Sequence, residues 1–232
     1  MRKDPPHDTE NLLLQSLTKA DKTRLWPKLE RVELVRGQVL HRAGDDIKHV
    51  YFPERSMISI IASTESGQTA EVAVIGSEGA SGIDVIMGTD QATNEHVAQI
   101  DDVALRIKTS DVRDECKNCG DLQAALLQFT RRLMGQISQT ALCNRLHTVD
   151  KRLSRWLLMS HDRASSDRLN LTQEFIAVML GANRTTVTTT AIELQNLGFI
   201  SYSRGSLTIV DRPGLEAFTC SCYEIIREAY EQ

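Results

Sequence analysis

The chain has 232 residues, 41% of them hydrophobic and 25% charged, enough for two ordinary domains with their own cores. The start "MRKDPPHDTENLLLQSL" has no apolar secretory core, nothing resembles a bilayer span, and five scattered cysteines do not make a secreted disulfide framework. A soluble cytoplasmic protein with reduced thiols, free of membrane, is expected. The net charge of −4 is uneven: 18 basic against 21 acidic residues over 1–147, 8 against 6 over 148–212, and 1 against 4 beyond, so any phosphate-binding footprint belongs to 148–212.

Residues 10–30 carry Leu13, Leu14, Leu17, Leu25 and Leu29 at helical spacing, interrupted by Pro27, and predict short helices. From Val32 to Ile107 the texture becomes β-rich: "VELV", "HVYF", "MISIIA", "EVAVI", "HVAQI" and "VALRI" alternate with glycines, and "STESGQTA" reads as a hairpin turn. Beyond "CKNCGD", apolar residues Leu122, Leu126, Phe129, Leu133, Ile137 and Ala141 recur in steps of three and four along one long helix. Such a helix either packs on its own β-domain or pairs with a second copy, and the pairing is favoured because the seam is longer than one small sandwich can cover. Leu122, Leu126, Phe129, Leu133 and Ile137 are therefore expected to form a dimer contact.

Residues 148–163 predict an amphipathic helix with Val149, Leu153, Trp156 and Leu157 inward. Thr172 is placed to cap "QEFIAVML", Gly181 to end it with a positive φ, and Asn183 to cap the next helix. The result is helix, short turn, helix. Ile176, Ala177, Leu180, Gly181, Val187 and Leu194 stand at the spacing of a DNA-binding helix-turn-helix.

The second helix opens "NRTTVTTT", whose five threonines forfeit roughly 2–3 kcal/mol of helix preference. With Val187, Ala191 and Leu194 inward and Thr190 on the flank, Thr185, Thr188, Thr189 and Ile192 point outward. Threonine there can bond a base or phosphate and offer its methyl to thymine. Arg184 is the strongest candidate, since a guanidinium reaches guanine bidentately or a phosphate. Next, "FISYSRGSLTIVD" forms two strands joined by an Arg-Gly turn, a wing whose tip carries Ser203 and Arg204. The expected DNA contacts are Thr172, Gln173, Asn183, Arg184, Thr185, Thr186, Thr188, Thr189, Ser203 and Arg204. The tail "PGLEAFTCSCYEIIREAYEQ" reads as helical and acidic.

The predicted fold is α+β: an antiparallel β-roll of cupin or jelly-roll type (1–119), a dimerisation helix (120–147) and a winged helix-turn-helix (148–232). In "LTQEFIAVMLGANRTTVTTTAIELQNLGFISYSRGSLTIVD", and in "VYFPERSMISIIASTESGQTAEVAVIGSEGASG", the chain resembles the Crp/Fnr family of bacterial transcription regulators over nearly its whole length. The resemblance implies a homodimer on a two-fold-symmetric duplex operator, and makes RNA polymerase a candidate partner. The family's recognition helix often opens Arg-Glu with a second Arg five residues after the first. Here only Arg184 matches, with Thr185 and Thr189 in the other places, so a different operator is expected.

Relatives clamp a cyclic nucleotide's phosphate with an Arg in a Gly-Glu…Arg-Ala cassette. Between Arg55 and Arg106 this chain has no Lys or Arg, but has Glu65, Glu71, Glu78, Asp84, Asp90, Glu95, Asp101 and Asp102. Burying an unpaired phosphate costs several kcal/mol, so cyclic AMP is not expected and the effector is left unassigned. Iron–sulfur sensing in relatives uses four cysteines mostly near the N-terminus, whereas none here precedes Cys116.

The alternative input is thiol redox or metal chemistry at one of two pairs. Cys116 and Cys119 form "CKNC", with Lys117 favouring the thiolate, or are simply two loop thiols. Cys143 and His147 stand at i, i+4, a chelating spacing or a packed hinge, while Cys220 and Cys222 make a weaker case. No resident metal or cofactor is assigned. No nucleophile turn, orienting third group or phosphate loop accompanies Cys143 and His147, which argues against an enzyme.

Overall fold

The structure is a computed structural model that describes residues 8–117, 120–164 and 166–231. Its contacts fall into two compact units, residues 1–60 with 74–134 and residues 61–73 with 135–232. The division thus passes within the long helix, between Met134 and Gly135, and assigns a hairpin tip to the second unit. Among the described residues no helix is long and apolar enough to cross a membrane.

The N-terminal helices α1 (Leu12–Gln15) and α2 (Lys19–Leu25) are each started by a side-chain cap, Asn11 and Thr18. Asn11 is fully buried, and its Nδ2 donates to the carbonyl oxygens of Pro53 at 2.8 Å and Gly79 at 2.9 Å. That anchors α1 to the first unit's strands. The strands before the long helix are β1 (Glu30–Leu34), β2 (Val39–His41), β3 (His49–Pro53), β4 (Ile58–Ser63), β5 (Thr69–Ile75), β6 (Glu95–Ala98) and β7 (Asp102–Lys108), with the end of β4 and most of β5 belonging to the second unit.

One sheet has the order β1-β7-β3 and a second β2-β6-β4-β5. Antiparallel pairing sets Glu30 opposite Arg106 on β7, and Arg106 opposite Tyr51 on β3. The expected strands are all present. β2 was not expected, because three residues are too few to show alternation. In the β4–β5 turn, Gly67 takes φ 82°, and Thr64 N donates to the Gln68 carbonyl.

A helix α3 (Thr109–Lys117), also not expected, follows β7 directly. The long helix α4 spans Asp121–Leu146, and its first amide is capped from outside: Asp121 N donates to Asp21 Oδ2 at 2.7 Å. Leu122, Leu126, Phe129 and Leu133 are at most 4% exposed within the single chain. A side chain already covered by its own unit offers no surface to a partner, so these four are not the dimer contact the sequence suggested. Ile137 is half-buried. A Cβ placed on Gly79 would stand 2.1 Å from the Phe129 ring, so the ring fills the notch that this glycine leaves.

The exposed apolar residues of α4 are Leu127, Met134, Leu142 and Leu146. At 100° per residue they lie on the side opposite the buried set.

The second unit contains α5 (Val149–His161), β8 (Arg168–Asn170), α6 (Gln173–Leu180), α7 (Arg184–Asn196), β9 (Ile200–Ser203), β10 (Ser206–Ile209), α8 (Arg212–Phe218) and α9 (Cys222–Glu231). Leu153, Trp156 and Leu157 of α5 are buried, joined by Ile176, Leu180, Val187, Leu194 and Leu207. β8 adds a third strand, giving the order β8-β10-β9. The tail is two helices rather than one, broken at Thr219, which is extended with ψ 176°.

Candidate nucleic-acid interface

Local chemistry builds the α6–α7 corner. Thr172 accepts the Phe175 amide at 3.2 Å, which opens α6. Gly181 ends it with φ 55°, where its own amide bonds the Val178 carbonyl and the Ala182 amide bonds that of Ala177. Asn183 then accepts the Thr185 amide at 2.8 Å, so α7 begins after a turn too short for the helices to run on in line.

Burial sorts α7 into two faces. Val187 and Leu194 are wholly buried, with Ala191 and Thr190 nearly so, while Arg184, Thr185, Thr186, Thr189 and Ile192 are exposed. Thr190, expected on the flank, is therefore a core residue. Thr188 is half-buried because α6 reaches it: its hydroxyl lies 2.7 Å from Gln173 Oε1 and 2.9 Å from the Arg184 carbonyl oxygen. A hydroxyl has one proton, so both contacts are satisfied when Thr188 donates to the carbonyl and the Gln173 amide turns to donate to Thr188.

Thr189 likewise donates to the Thr185 carbonyl oxygen, at 3.2 Å. Thr188 and Thr189 thus have their protons engaged on their own helix, leaving lone pairs and methyls available. Arg184 is exposed, and its Nη1 lies 3.6 Å from Glu174 Oε2 on α6. Both side chains are about two-thirds exposed, so this pair is weak. Thr172 and Asn183 are exposed but are already committed as caps.

The wing tip is a two-residue turn in which Arg204 takes φ 49° and Gly205 φ 79°, the sign pattern of a type I′ hairpin. Arg204 is the only non-glycine at positive φ among the described residues, and both it and Ser203 are exposed. Arg168 on β8 is a further exposed cation at the base of the wing, where its Nε donates to Ser206 Oγ at 2.6 Å. The sequence reading missed Arg168, because "RLN" is too short to declare itself a strand. Glu174 was missed as well, its only signal being its place in the first turn of α6.

In the first unit most of the buried polar groups pair with one another or with nearby backbone. Ser81 Oγ lies 2.7 Å from His96 Nδ1, Gln99 Nε2 donates to Ser59 Oγ at 2.6 Å, and Asp84 accepts the amide and hydroxyl of Thr93. Burial pushes His96 down to about 3 and His41 down to about 4, so both are neutral. His41 Nε2 is buried without a hydrogen-bond partner among the described residues. The two arginines that bracket this cation-free stretch are engaged elsewhere, Arg55 with Glu10 and Arg106 with Glu30.

Cys119 lies outside the described residues. Cys116 is half-buried, and burial together with Glu115 raises its thiol above the ordinary value. Lys117, expected to favour a thiolate there, instead donates to Asp114 at 2.9 Å.

Comparison with known proteins agrees with this geometry. Residues 151–218 match the model of the Crp-like helix-turn-helix domain, and residues 31–119 that of the cyclic nucleotide-binding domain. No curated protein sequence matches the chain. Among solved structures, FixK2 from Bradyrhizobium japonicum aligns with TM-score 0.70 at 15% identity, over 83% of this chain and 98% of that one. A transcriptional regulator of the crp/fnr family from Eubacterium rectale aligns with TM-score 0.67 at 21% identity, over 88% and 96%. The c-di-GMP responsive regulator CLP of Xanthomonas campestris gives 0.66 at 14%, over 84% and 100%. At such identities these structures speak for the fold alone.

Proposed function

The chain belongs to the Crp/Fnr family of transcription regulators, and from that premise we propose that it acts as a cytoplasmic homodimer that reads a two-fold-symmetric operator. It is a DNA-binding regulator and not an enzyme. The observation that carries the reading is the outward face of α7, where Arg184, Thr185, Thr186 and Thr189 are exposed over a pinned, buried face of Val187, Ala191 and Leu194. One such helix per protomer enters successive major grooves, with Arg204 and Arg168 on flanking phosphates.

Dimerisation uses the exposed stripe of α4, Leu127, Met134, Leu142 and Leu146, in place of the seam its own unit covers. Sedimentation of Met134→Glu yields a folded monomer on this reading, whereas Leu126→Glu disrupts the first unit. The first unit does not take cyclic AMP. Supporting this are the cation-free stretch from 56 to 105, the prior engagement of Arg55 and Arg106, and the Phe129 ring over Gly79. RNA polymerase is the partner an activating role would require.

Fluorescence anisotropy of the full chain on duplexes selected from a random pool tests the proposal. A preferred duplex with two-fold symmetry is expected, its affinity falling steeply with salt and unchanged by cyclic AMP. Equal affinity for selected and random duplexes would refute it.

A further inference from the structure

The second unit brings together four side chains that the DNA-reading surface does not use. Cys143, near the end of α4, is completely buried. His147 follows one turn later, its amide still bonded to the Cys143 carbonyl at 3.0 Å. Cys220 and Cys222 come from the break between α8 and α9, where the extended Thr219 stops one helix and Cys222 starts the next. The three cysteines form a buried cluster by themselves, with no leucine, valine or aromatic among them. Simple packing does not call for three thiols and an imidazole at one point.

The spacing is that of a coordination sphere. One ligand atom from each residue lies within 4.8 Å of all the others. A tetrahedral zinc with Zn–S of about 2.3 Å and Zn–N of about 2.0–2.1 Å sets its sulfurs about 3.8 Å apart and sulfur from nitrogen about 3.5 Å. The Cys143 and Cys220 sulfurs are 3.7 Å apart, and Cys222 Sγ stands 3.5 Å from His147 Nδ1. A multi-iron cluster needs ligands on different irons and does not fit so small a cage.

Two polar side chains stand beside the cluster. Gln139 Nε2 donates to Cys222 Sγ at 3.1 Å. Arg155, 3% exposed, is within electrostatic reach of Cys143, and its Nε has no partner among the described residues. Three thiolates around a divalent ion leave one net negative charge, which this guanidinium offsets.

We propose that Cys143, His147, Cys220 and Cys222 form a closed, mononuclear zinc site that fastens the end of α4 to the C-terminal helix pair. All four positions are taken by protein, so the site is structural in type, with no open position for catalysis. On loading, each thiol releases its proton to solvent as its sulfur bonds the metal, with no change of oxidation state.

The test uses the reduced full chain, with zinc content measured after dialysis and cobalt(II) as spectroscopic probe. One zinc per chain is expected, together with the strong visible bands of tetrahedral cobalt and thiolate-to-cobalt charge transfer. Cys222→Ser and His147→Gln should weaken or alter both, and Cys116→Ser should change neither. If the ligand variants fail to fold, Gln139→Ala remains: it keeps every ligand and should lower zinc affinity about 10-fold. Octahedral cobalt, zinc lost on dialysis with all thiols free to alkylate, or a Cys143–Cys220 disulfide in the freshly purified protein would each overturn the site. Operator binding measured on the same samples reads the α7 surface separately, so failure of one conclusion is distinguishable from failure of the other.

Discussion

The outer face of α7 and the interior of the β-roll are both rich in polar groups, but they dispose of them in opposite ways. On α7 Thr185, Thr186, Thr189 and Arg184 face solvent, the Thr189 proton turned back to a helix carbonyl and the Arg184 charge loosely held by Glu174. Inside the roll, His41, His96, Ser81, Asp84, Gln99 and Ser59 are buried, and most of them bond each other or adjacent backbone. Polarity that is exposed and locally satisfied is free to meet a ligand without a desolvated cost. Polarity that is buried is committed to holding strands in register, and is sensitive to any proton that enters.

The largest way to break the contrast is to remove what holds the α7 face outward. Leu194→Ala deletes a wholly buried side chain and should destabilise the second unit by about 2–5 kcal/mol, read by urea denaturation.

The second test is acid. His41 and His96 have folded values of about 4 and 3, below the ordinary 6.5, so the unfolded chain takes up protons first. Their contribution is complete above about pH 7 and declines as pH falls through 6.5, continuing until the folded values are reached. The groups facing them, Asp84, His49, Tyr51 and Ser81, do not reverse that sign. From pH 7.5 to 5.5 the pair should cost the first unit about 2–3 kcal/mol, and His96→Gln should flatten the profile.

Next comes Arg184→Ala, expected to reduce operator affinity by about 1–3 kcal/mol, or roughly 5- to 150-fold, with unchanged stability. An effect spread equally over all sequences would make Arg184 a phosphate contact instead. The smallest effect is Arg204→Gly. It relieves a left-handed non-glycine and should stabilise the wing by up to about 1 kcal/mol, while lowering the salt slope of DNA binding by about one.

What was legible in the sequence was what neighbours along the chain decide. The caps Thr172 and Asn183, the Gly181 stop and the Arg-Gly turn are set within a few residues, and each forms as read. Periodicity also found the helix at 121–146, but it gives a face without saying what covers it. Leu122, Leu126, Phe129 and Leu133 were thus assigned to a partner when their own unit encloses them. β2 and β8 were too short to carry a pattern. The meeting of Cys143 and His147 with Cys220 and Cys222 depends on two helix ends more than seventy residues apart, and spacing along the chain says nothing about that.

The back-bonded threonines of α7 have one more consequence. A β-branched side chain whose hydroxyl is tethered to the preceding turn is already confined to one rotamer before a duplex arrives. Freezing a lysine or glutamine at the same place would surrender rotational freedom on contact. What these residues take from the helix's own propensity thus returns as rigidity at the groove, a surface preset to the shape it must match.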